Sequence, residues 1–416
     1  MQIQRDFYLQ QLIDGKRNGL VKIVTGIRRC GKSYLLFKLF YQHLITSGVA
    51  EDHIVRIALD DIENAVLREP LSLYRHIKER MKDAETYYIL LDEVQLVPRF
   101  EEVLNSLLRL DNADVFVTGS NSRFLSSDIV TEFRGRGDEI RLFPLSFSEY
   151  CHGTGKAPSA AWKDYIVYGG LPQTLSLESD KKKTDYLSNL FGSVYLVDIL
   201  ERHNIKNKVE FEELAHIVAS GIGAPTNPSR LSNTFKSVKK VDISSVTIDK
   251  YLSYMQDAFM IEKAVRYDIK GRKYIGSLSK YYFVDMGLRN ALLGMRQMEE
   301  SHIMENVIYN ELRRRGLKVD VGMAEQRYRD SDGTWQRKQL EVDFVVNSGS
   351  GRCYIQSALT IPDEEKRRQE SASLLRIKDS FNKIIVVKDD IVPWTDNNGI
   401  TTIGLFDFLL KGMEIL

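Results

Sequence analysis

The sequence predicts an α/β fold. It comprises an N-terminal P-loop parallel sheet with helices on both faces, a helical, winged-helix-like middle and a small α/β domain at the C-terminal end. Two observations carry this. Apolar, β-branched runs alternate with segments of helical period between residues 21 and 120. The pattern then changes twice, near residues 155 and 298, which sets expected domains at 1–155, 156–298 and 299–416. A chain of 416 residues fits two or three such domains.

The elements follow in order. VKIVT (21–25) reads as a short buried strand, and SYLLFKLFYQHLI (33–45) has the spacing of an amphipathic helix. HIVRIALD (53–60) reads as a strand, LSLYRHIKERM (71–81) as a helix, YYILLDE (87–93) as a buried strand and FEEVLNSLLRL (100–110) as a helix. DVFVTGS (114–120) and EIRLFPL (139–145) are strand-like. Residues 162–265 are mostly helical, broken at GAPTNPSR (223–230). Two helices followed by VRYDI (265–269) and KYYFVD (280–285) predict a winged helix. A helix over 302–315 precedes strands near 318–322, 339–346, 353–359 and 384–389.

Composition narrows the function classes little. The net charge is +1, so nucleic-acid binding would need a local patch rather than a global excess of cations. Cys30, Cys151 and Cys353 are too few and too scattered for a disulfide framework or a cysteine metal site, which fits a reducing, cytoplasmic compartment. No apolar run approaches the ~20 residues of a bilayer span, and Met1 to Gln11 has no leader-like core, so no membrane association is expected.

The chemistry concentrates in the first domain. Gly26-Ile27-Arg28-Arg29-Cys30-Gly31-Lys32-Ser33, followed by Tyr34, sits between a predicted strand and a predicted helix, the context a phosphate-binding loop requires. Its glycines let successive N–H groups face phosphate oxygens, and the helix N-terminus adds positive potential. Lys32 would bridge the β- and γ-phosphates of ATP, and Ser33 would ligate Mg²⁺. Asp92 and Glu93 end an apolar strand. Asp92 is the candidate for the Mg²⁺ shell, and Glu93 for the base that polarises water. Ser120 and Asn121, after the next strand, are candidates to position that water. Arg136, ahead of Arg134, is the candidate arginine for γ-phosphate charge, acting within its own subunit or across to a neighbour in a homo-oligomer. Cys30 is read as a small loop residue, with a redox switch as the minority alternative.

Segments RDFYLQQL (5–12), IVTGIRRCGKSYLL (23–36), YYILLDEVQ (87–95), FVTGSNS (116–122), RGRGDEIRLFPLSFSEY (134–150) and YGGLP (168–172) resemble a bacterial and archaeal family of AAA-type ATPases. The likeness continues through VYLVDILERHNI (194–205), ENVIYNELRRRG (305–316), EVDFVV (341–346) and YIQSALT (354–360), almost the whole chain. That family pairs its ATPase with a C-terminal domain of unknown function. The resemblance implies an AAA-like core, ATP binding with hydrolysis, and a C-terminal fold similar to restriction endonucleases.

Such nucleases need a helix Glu, a strand Asp and a Glu-x-Lys on the following strand. Glu305 and Asp343 match, but Gln356 and Ala358 stand where the Glu and Lys would be, so a degenerate, non-cleaving domain is expected. Lys366 is the nearest lysine for a rebuilt site. In the middle domain Lys236, Lys239, Lys240, Lys270, Arg272 and Lys273, interleaved with Tyr274, Tyr281 and Tyr282, make DNA a candidate partner. A protein partner is the alternative. Three functions compete: an Mg²⁺-dependent ATPase coupling nucleotide state to partner contact, a slow nucleotide-gated switch, and a DNA nuclease. The intact Asp92-Glu93 pair favours the first.

Overall fold

The structure, a computed structural model, describes residues 3–119, 135–296, 299–329, 331–348 and 351–411. It divides into two compact units. The first is Met1–Leu145 with Leu171–Ser176 and Asp257–Phe259; the second is Ser146–Gly170, Leu177–Gln256 and Met260–Leu416.

In the first unit, β1 (Val21–Thr25), β2 (Ile54–Ala58), β3 (Tyr87–Asp92), β4 (Ala113–Thr118) and β5 (Gly137–Arg141) form one parallel sheet in the order β2-β3-β4-β1-β5. Every residue of β1 and β3 is buried, as a parallel sheet covered on both faces demands. Ile89, Leu91, Val115 and Val117 share a core with Leu73 and Ile77 of helix Pro70–Arg80 and with Leu104 of helix Phe100–Leu107. Glu69 caps the first of these helices. Its carboxylate accepts from the N–H groups of Leu71 and Ser72, and Pro70 sets the opening turn. Lys22 on β1 pairs with Asp114 on β4 inside the sheet, its ammonium 4.5 Å from the centre of the Phe116 ring.

The helix after the glycine loop starts one residue earlier than the sequence predicts. It runs as α-helix over Lys32–Tyr34, as π-helix over Leu35–Phe40 and as α-helix again over Tyr41–Thr46.

The second unit carries helices Phe147–Thr154, Pro158–Tyr168, Asp180–Leu190, Lys208–Ser220, Pro228–Thr234 and Met286–Leu292. A mixed sheet of eight strands follows: β6 (Ile261–Asp268), β7 (Lys273–Phe283), β8 (Lys318–Arg329), β9 (Trp335–Ser348), β10 (Gly351–Ala358), β11 (Asn382–Val387), β12 (Trp394–Thr395) and β13 (Ile400–Gly404). Their order is β12-β13-β11-β10-β9-β8-β6-β7. The two strands expected to form a wing, β6 and β7, are thus one edge of the C-terminal sheet, joined to it by parallel pairing of β6 with β8. Helix Glu300–Arg314 packs on this sheet, its Tyr309 ring stacked 4.1 Å from that of Tyr282.

The Tyr-Gly-Gly sequence at 168–170 has a packing reason. The Gly170 N–H donates to Asp285 Oδ2 at 2.8 Å, and a Cβ on Gly169 would stand 2.4 Å from Asp285 Oδ1. A Cβ on Gly287 would meet the Tyr168 carbonyl oxygen at 2.1 Å, so two glycines let this chain segment close on Asp285–Gly287. No described helix is long and apolar enough to cross a membrane.

Candidate nucleotide site

The carboxyl ends of β1, β3 and β4 lie side by side. The register pairs Val24 with Thr118 and Leu91 with Val117. Ligands in open α/β sheets bind at this end. The glycine loop leaves β1 there. Gly26, at φ 141°, passes so close to β5 that a Cβ would be 2.1 Å from the Leu142 carbonyl oxygen. Gly31, at φ 100°, turns the chain into the helix that begins at Lys32, and Arg29 also adopts a positive φ of 63°. The loop is tied from behind: Arg5 donates to the carbonyls of Cys30, at 3.4 Å, and Phe143, at 2.5 Å. Cys30 is fully buried against the Leu142 carbonyl. Burial pushes its thiol up, outweighing Lys32 and Arg5, so it is a packing residue rather than a reactive thiol.

Lys32 is buried, and its ammonium is held over the loop by the carbonyls of Gly26 at 3.0 Å and Ile27 at 3.1 Å. The Thr118 hydroxyl donates to Asp92 Oδ1, and Ser33 stands close enough to favour the charged form of that carboxyl. Asp92 is 4% exposed, and burial raises its carboxyl above the ordinary value despite these two neighbours. Glu93 leaves the strand in a left-handed conformation (φ 52°, ψ 47°), uncommon for a residue with a side chain. Its N–H donates to Thr118 Oγ1 at 3.1 Å, and Gln95 Nε2 donates to its carboxylate. Thr118 therefore joins both acidic residues. It is the polar group that β4 places beside them. Sequence reasoning does not name it; the candidates it names further along, Ser120 and Asn121, lie outside the described residues, as does Arg134. The signal is in the β3–β4 register.

Arg136 stands elsewhere. Its carbonyl accepts from Val21 N at 2.9 Å and its guanidinium donates to Asn105 at 3.2 Å, so it sits at the amino end of β1. Strand β1 spans roughly 13 Å at the rise of a parallel strand, farther than an arginine side chain extends. The structure thus keeps Arg136 away from the glycine loop of its own chain. The arginine at the loop end of β5 is Arg141, in register with Thr25 and packed 5.0 Å from the rings of Phe143 and Phe259.

Beside the loop lies a cavity of about 280 Å³, lined by Ile3, Arg5, Cys30, Gly31, Tyr34, Leu145, Pro172, Gln173, Leu175 and Ser176. Its walls are mostly apolar, with the Gln173 amide, the Tyr34 and Ser176 hydroxyls and the Arg5 guanidinium among them.

In the second unit, Glu305 and Asp343 do come together, but with Lys280 rather than Lys366. Lys366 pairs with Glu370 on its own helix at 2.6 Å. Burial, then Glu305, push the Asp343 carboxyl up, and Lys280 pulls it back. The expected basic and aromatic surface is partly dissolved: Tyr281 and Tyr282 are core side chains, and Lys239 pairs with Glu213 at 2.6 Å. Lys236, Lys240, Lys270, Arg272 and Lys273 are exposed.

Residues 18–151 match a family described as AAA domain, and residues 159–299 match a domain of unknown function (DUF8612). The second match lies in the middle of the chain, earlier than the resemblance placed its domain of unknown function. The chain is 33% identical, over 98% of its length, to an uncharacterised protein of Haemophilus influenzae, of which it covers 99%. The chain belongs to that protein's family. It is 28% identical to the uncharacterised protein MJ1544 of Methanocaldococcus jannaschii, with 91% of this chain and 82% of that one covered. Among solved structures it is similar to the Walker-type ATPase PABY2304 of Pyrococcus abyssi. There the TM-score is 0.50 at 14% identity, with 70% of this chain and 96% of the other covered, a likeness of fold. The first unit is accordingly an AAA domain with a P-loop ATPase-like fold.

Proposed function

We propose that the protein is an Mg²⁺-dependent ATPase whose nucleotide state alters its contact with a partner. One observation carries the reading: Lys32 and Ser33, Asp92 and Glu93, and Thr118 converge at the carboxyl ends of three neighbouring strands. The donor set fits a hard cation held largely by oxygen, because Ser33 and Asp92 lie near one another and the remaining ligands would be phosphate and water. Mg²⁺ bound there would neutralise charge on the β- and γ-phosphates. Lys32 would exchange its two carbonyl partners for phosphate oxygens. Glu93 would take the proton of a water whose oxygen bonds to the γ-phosphorus as the bond to the bridging oxygen breaks, releasing ADP and phosphate. The cavity beside Gly31 and Tyr34 would take the base, with Ile3, Leu145, Pro172 and Leu175 as apolar walls and Gln173 as a polar partner.

Steady-state phosphate release from ATP, with and without Mg²⁺ and with and without DNA, tests this. Release that is absent, or indifferent to Mg²⁺, overturns it. Thr118→Val is a sharper probe, because it keeps volume and removes the hydroxyl that joins Asp92 and Glu93. Loss of a hydrogen bond to a charged group, about 1.5–3 kcal/mol, should slow turnover about 10- to 100-fold. An unchanged kcat would remove Thr118 from the site.

A second reading has its own observation. Gln95 holds the Glu93 carboxylate, which would keep the base in a resting pose until a partner displaces the amide. The protein would then act as a slow nucleotide-gated switch. Gln95→Leu separates the two readings: turnover rising several-fold without a partner favours the switch, and no change favours the plain ATPase. The exposed lysines and Arg272 of the second unit are the proposed face for nucleic acid, and a steep fall of DNA affinity with salt is the result expected if they meet phosphates.

A further inference from the structure

The second unit contains a buried charge cluster that ATP chemistry does not use. Lys280 on β7 is 2% exposed. Its Nζ lies 2.8 Å from Glu305 Oε1 on helix Glu300–Arg314, 2.7 Å from Glu341 Oε1 and 3.8 Å from Asp343 Oδ1, both on β9. Each of the two deeper carboxylates is also held by a second donor. The Tyr282 hydroxyl donates to Glu305 at 2.6 Å, and the Ser357 N–H of β10 donates to Asp343 Oδ2 at 2.8 Å. Gly223 covers Glu305 closely enough that a Cβ there would stand 3.2 Å from both carboxylate oxygens. The cluster is thus assembled from three strands, a helix and a loop, and the ammonium stands among its carboxylates.

A helix Glu and a strand Asp on a mixed sheet are the groups that would hold a divalent cation in a restriction-type nuclease, the fold that the sequence resemblance implies. The residues present do not fit that ion. The space between the carboxylates is taken by Nζ, and an ammonium and a divalent cation cannot share it. The third-strand position is Gln356, whose neutral amide oxygen accepts from Asp343 N and Ser373 Oγ at 3.4 Å each. Among the described residues no group of three or more His, Cys, Asp and Glu is arranged to hold a metal ion.

We propose that Lys280 is the resident cation of this cluster, in the position a divalent metal would take. The C-terminal sheet is then assembled without metal and cleaves no phosphodiester bond. A tethered ammonium suits this position, because it offers three donors to carboxylates and needs no loading. Without it, Glu305, Glu341 and Asp343 would face one another in a poorly solvated site, where like charges repel strongly.

The test uses the full chain, free of nucleotide, with Mn²⁺ as the probe. Wild type should melt at the same temperature in EDTA and in Mn²⁺. By electron paramagnetic resonance it should bind no Mn²⁺ that Asp343→Asn removes. Lys280→Met should melt lower in EDTA, regain part of the loss in Mn²⁺ and take up a stoichiometric Mn²⁺ that adding Asp343→Asn abolishes. Lys280→Arg, which keeps the charge, should stay indifferent to the metal. A wild-type Mn²⁺ site lost on Asp343→Asn overturns the proposal, because the lysine would then stand beside a metal rather than replace it. A Lys280→Met protein that folds yet gains no Mn²⁺ overturns it as well. If Lys280→Met does not fold, the comparison of wild type with Asp343→Asn decides alone.

Discussion

Glu93→Gln is expected to bind ATP about as tightly as wild type and to hydrolyse it ~10²–10⁴-fold more slowly, the usual cost of removing a general base. The substitution keeps the shape of the side chain and its place beyond β3. That place is set by the backbone, through the left-handed turn at residue 93 and the bond from its N–H to Thr118, and neither needs the carboxylate. The amide that replaces the carboxylate can still meet the Gln95 side chain, so the local fold should survive. What is lost is the capacity to accept a proton from water. Single-turnover phosphate release together with an equilibrium ATP titration separates the two effects. Equal turnover in mutant and wild type would take Glu93 out of the mechanism and leave the first unit as a binding module. A parallel loss of ATP affinity would mean that the side chain holds the loop rather than the water.

The parts of this site legible in the sequence are those written in consecutive residues. The glycine loop lies between VKIVT and an amphipathic helix, and Asp92-Glu93 closes an unbroken apolar run. Both signals are local, and both elements form within a residue of where the periodicity places them. The rest depends on which strand ends share an edge. Thr118 and Ser120 are two residues apart in sequence, yet only the pairing of Leu91 with Val117 tells that Thr118 is beside Asp92. The family's Gly-Arg pattern, just before the turn into a strand, suggests Arg136 for the phosphate site of its own chain or of a neighbour. In a parallel sheet, however, a residue before a strand lies at the amino end, opposite the loop. The cavity beside the loop draws on Ile3, Leu145 and Pro172, which no periodicity connects.

The C-terminal sheet shows the same limit from the other side. Its β8–β9 hairpin is legible only as strands near 318–322 and 339–346, whereas β8 and β9 run on to Arg329 and start at Trp335. Much of their far halves is polar and exposed, so no apolar alternation marks it. Lys280 is 25 residues from its nearest acidic partner in sequence and on another element, so scanning for a Glu-x-Lys cannot find it. Lys366 is the natural choice by proximity along the chain. Its helix gives it Glu370 one turn away instead, an ordinary surface pair.

Lys32→Ala is expected to abolish productive ATP binding while leaving the fold intact. The ammonium is buried but not part of the apolar core. Its hydrogen bonds go to the carbonyls of Gly26 and Ile27, which can turn to water in the mutant because the loop is anchored independently by Arg5, Gly26 and Leu142. With ATP bound, the same ammonium would be the main side-chain countercharge inside the loop. Truncating one partner of a buried, hydrogen-bonded charge pair costs about 2–5 kcal/mol, so affinity should fall roughly 30-fold to several thousand-fold. The result therefore differs in kind from that of Glu93→Gln: Lys32→Ala should lose the binding isotherm, Glu93→Gln only the turnover. Fluorescent-nucleotide titration of both proteins, with melting curves as the control for folding, distinguishes them. Undiminished affinity in a folded Lys32→Ala protein would show that the loop does not hold phosphate, and the ATPase reading would fall with it.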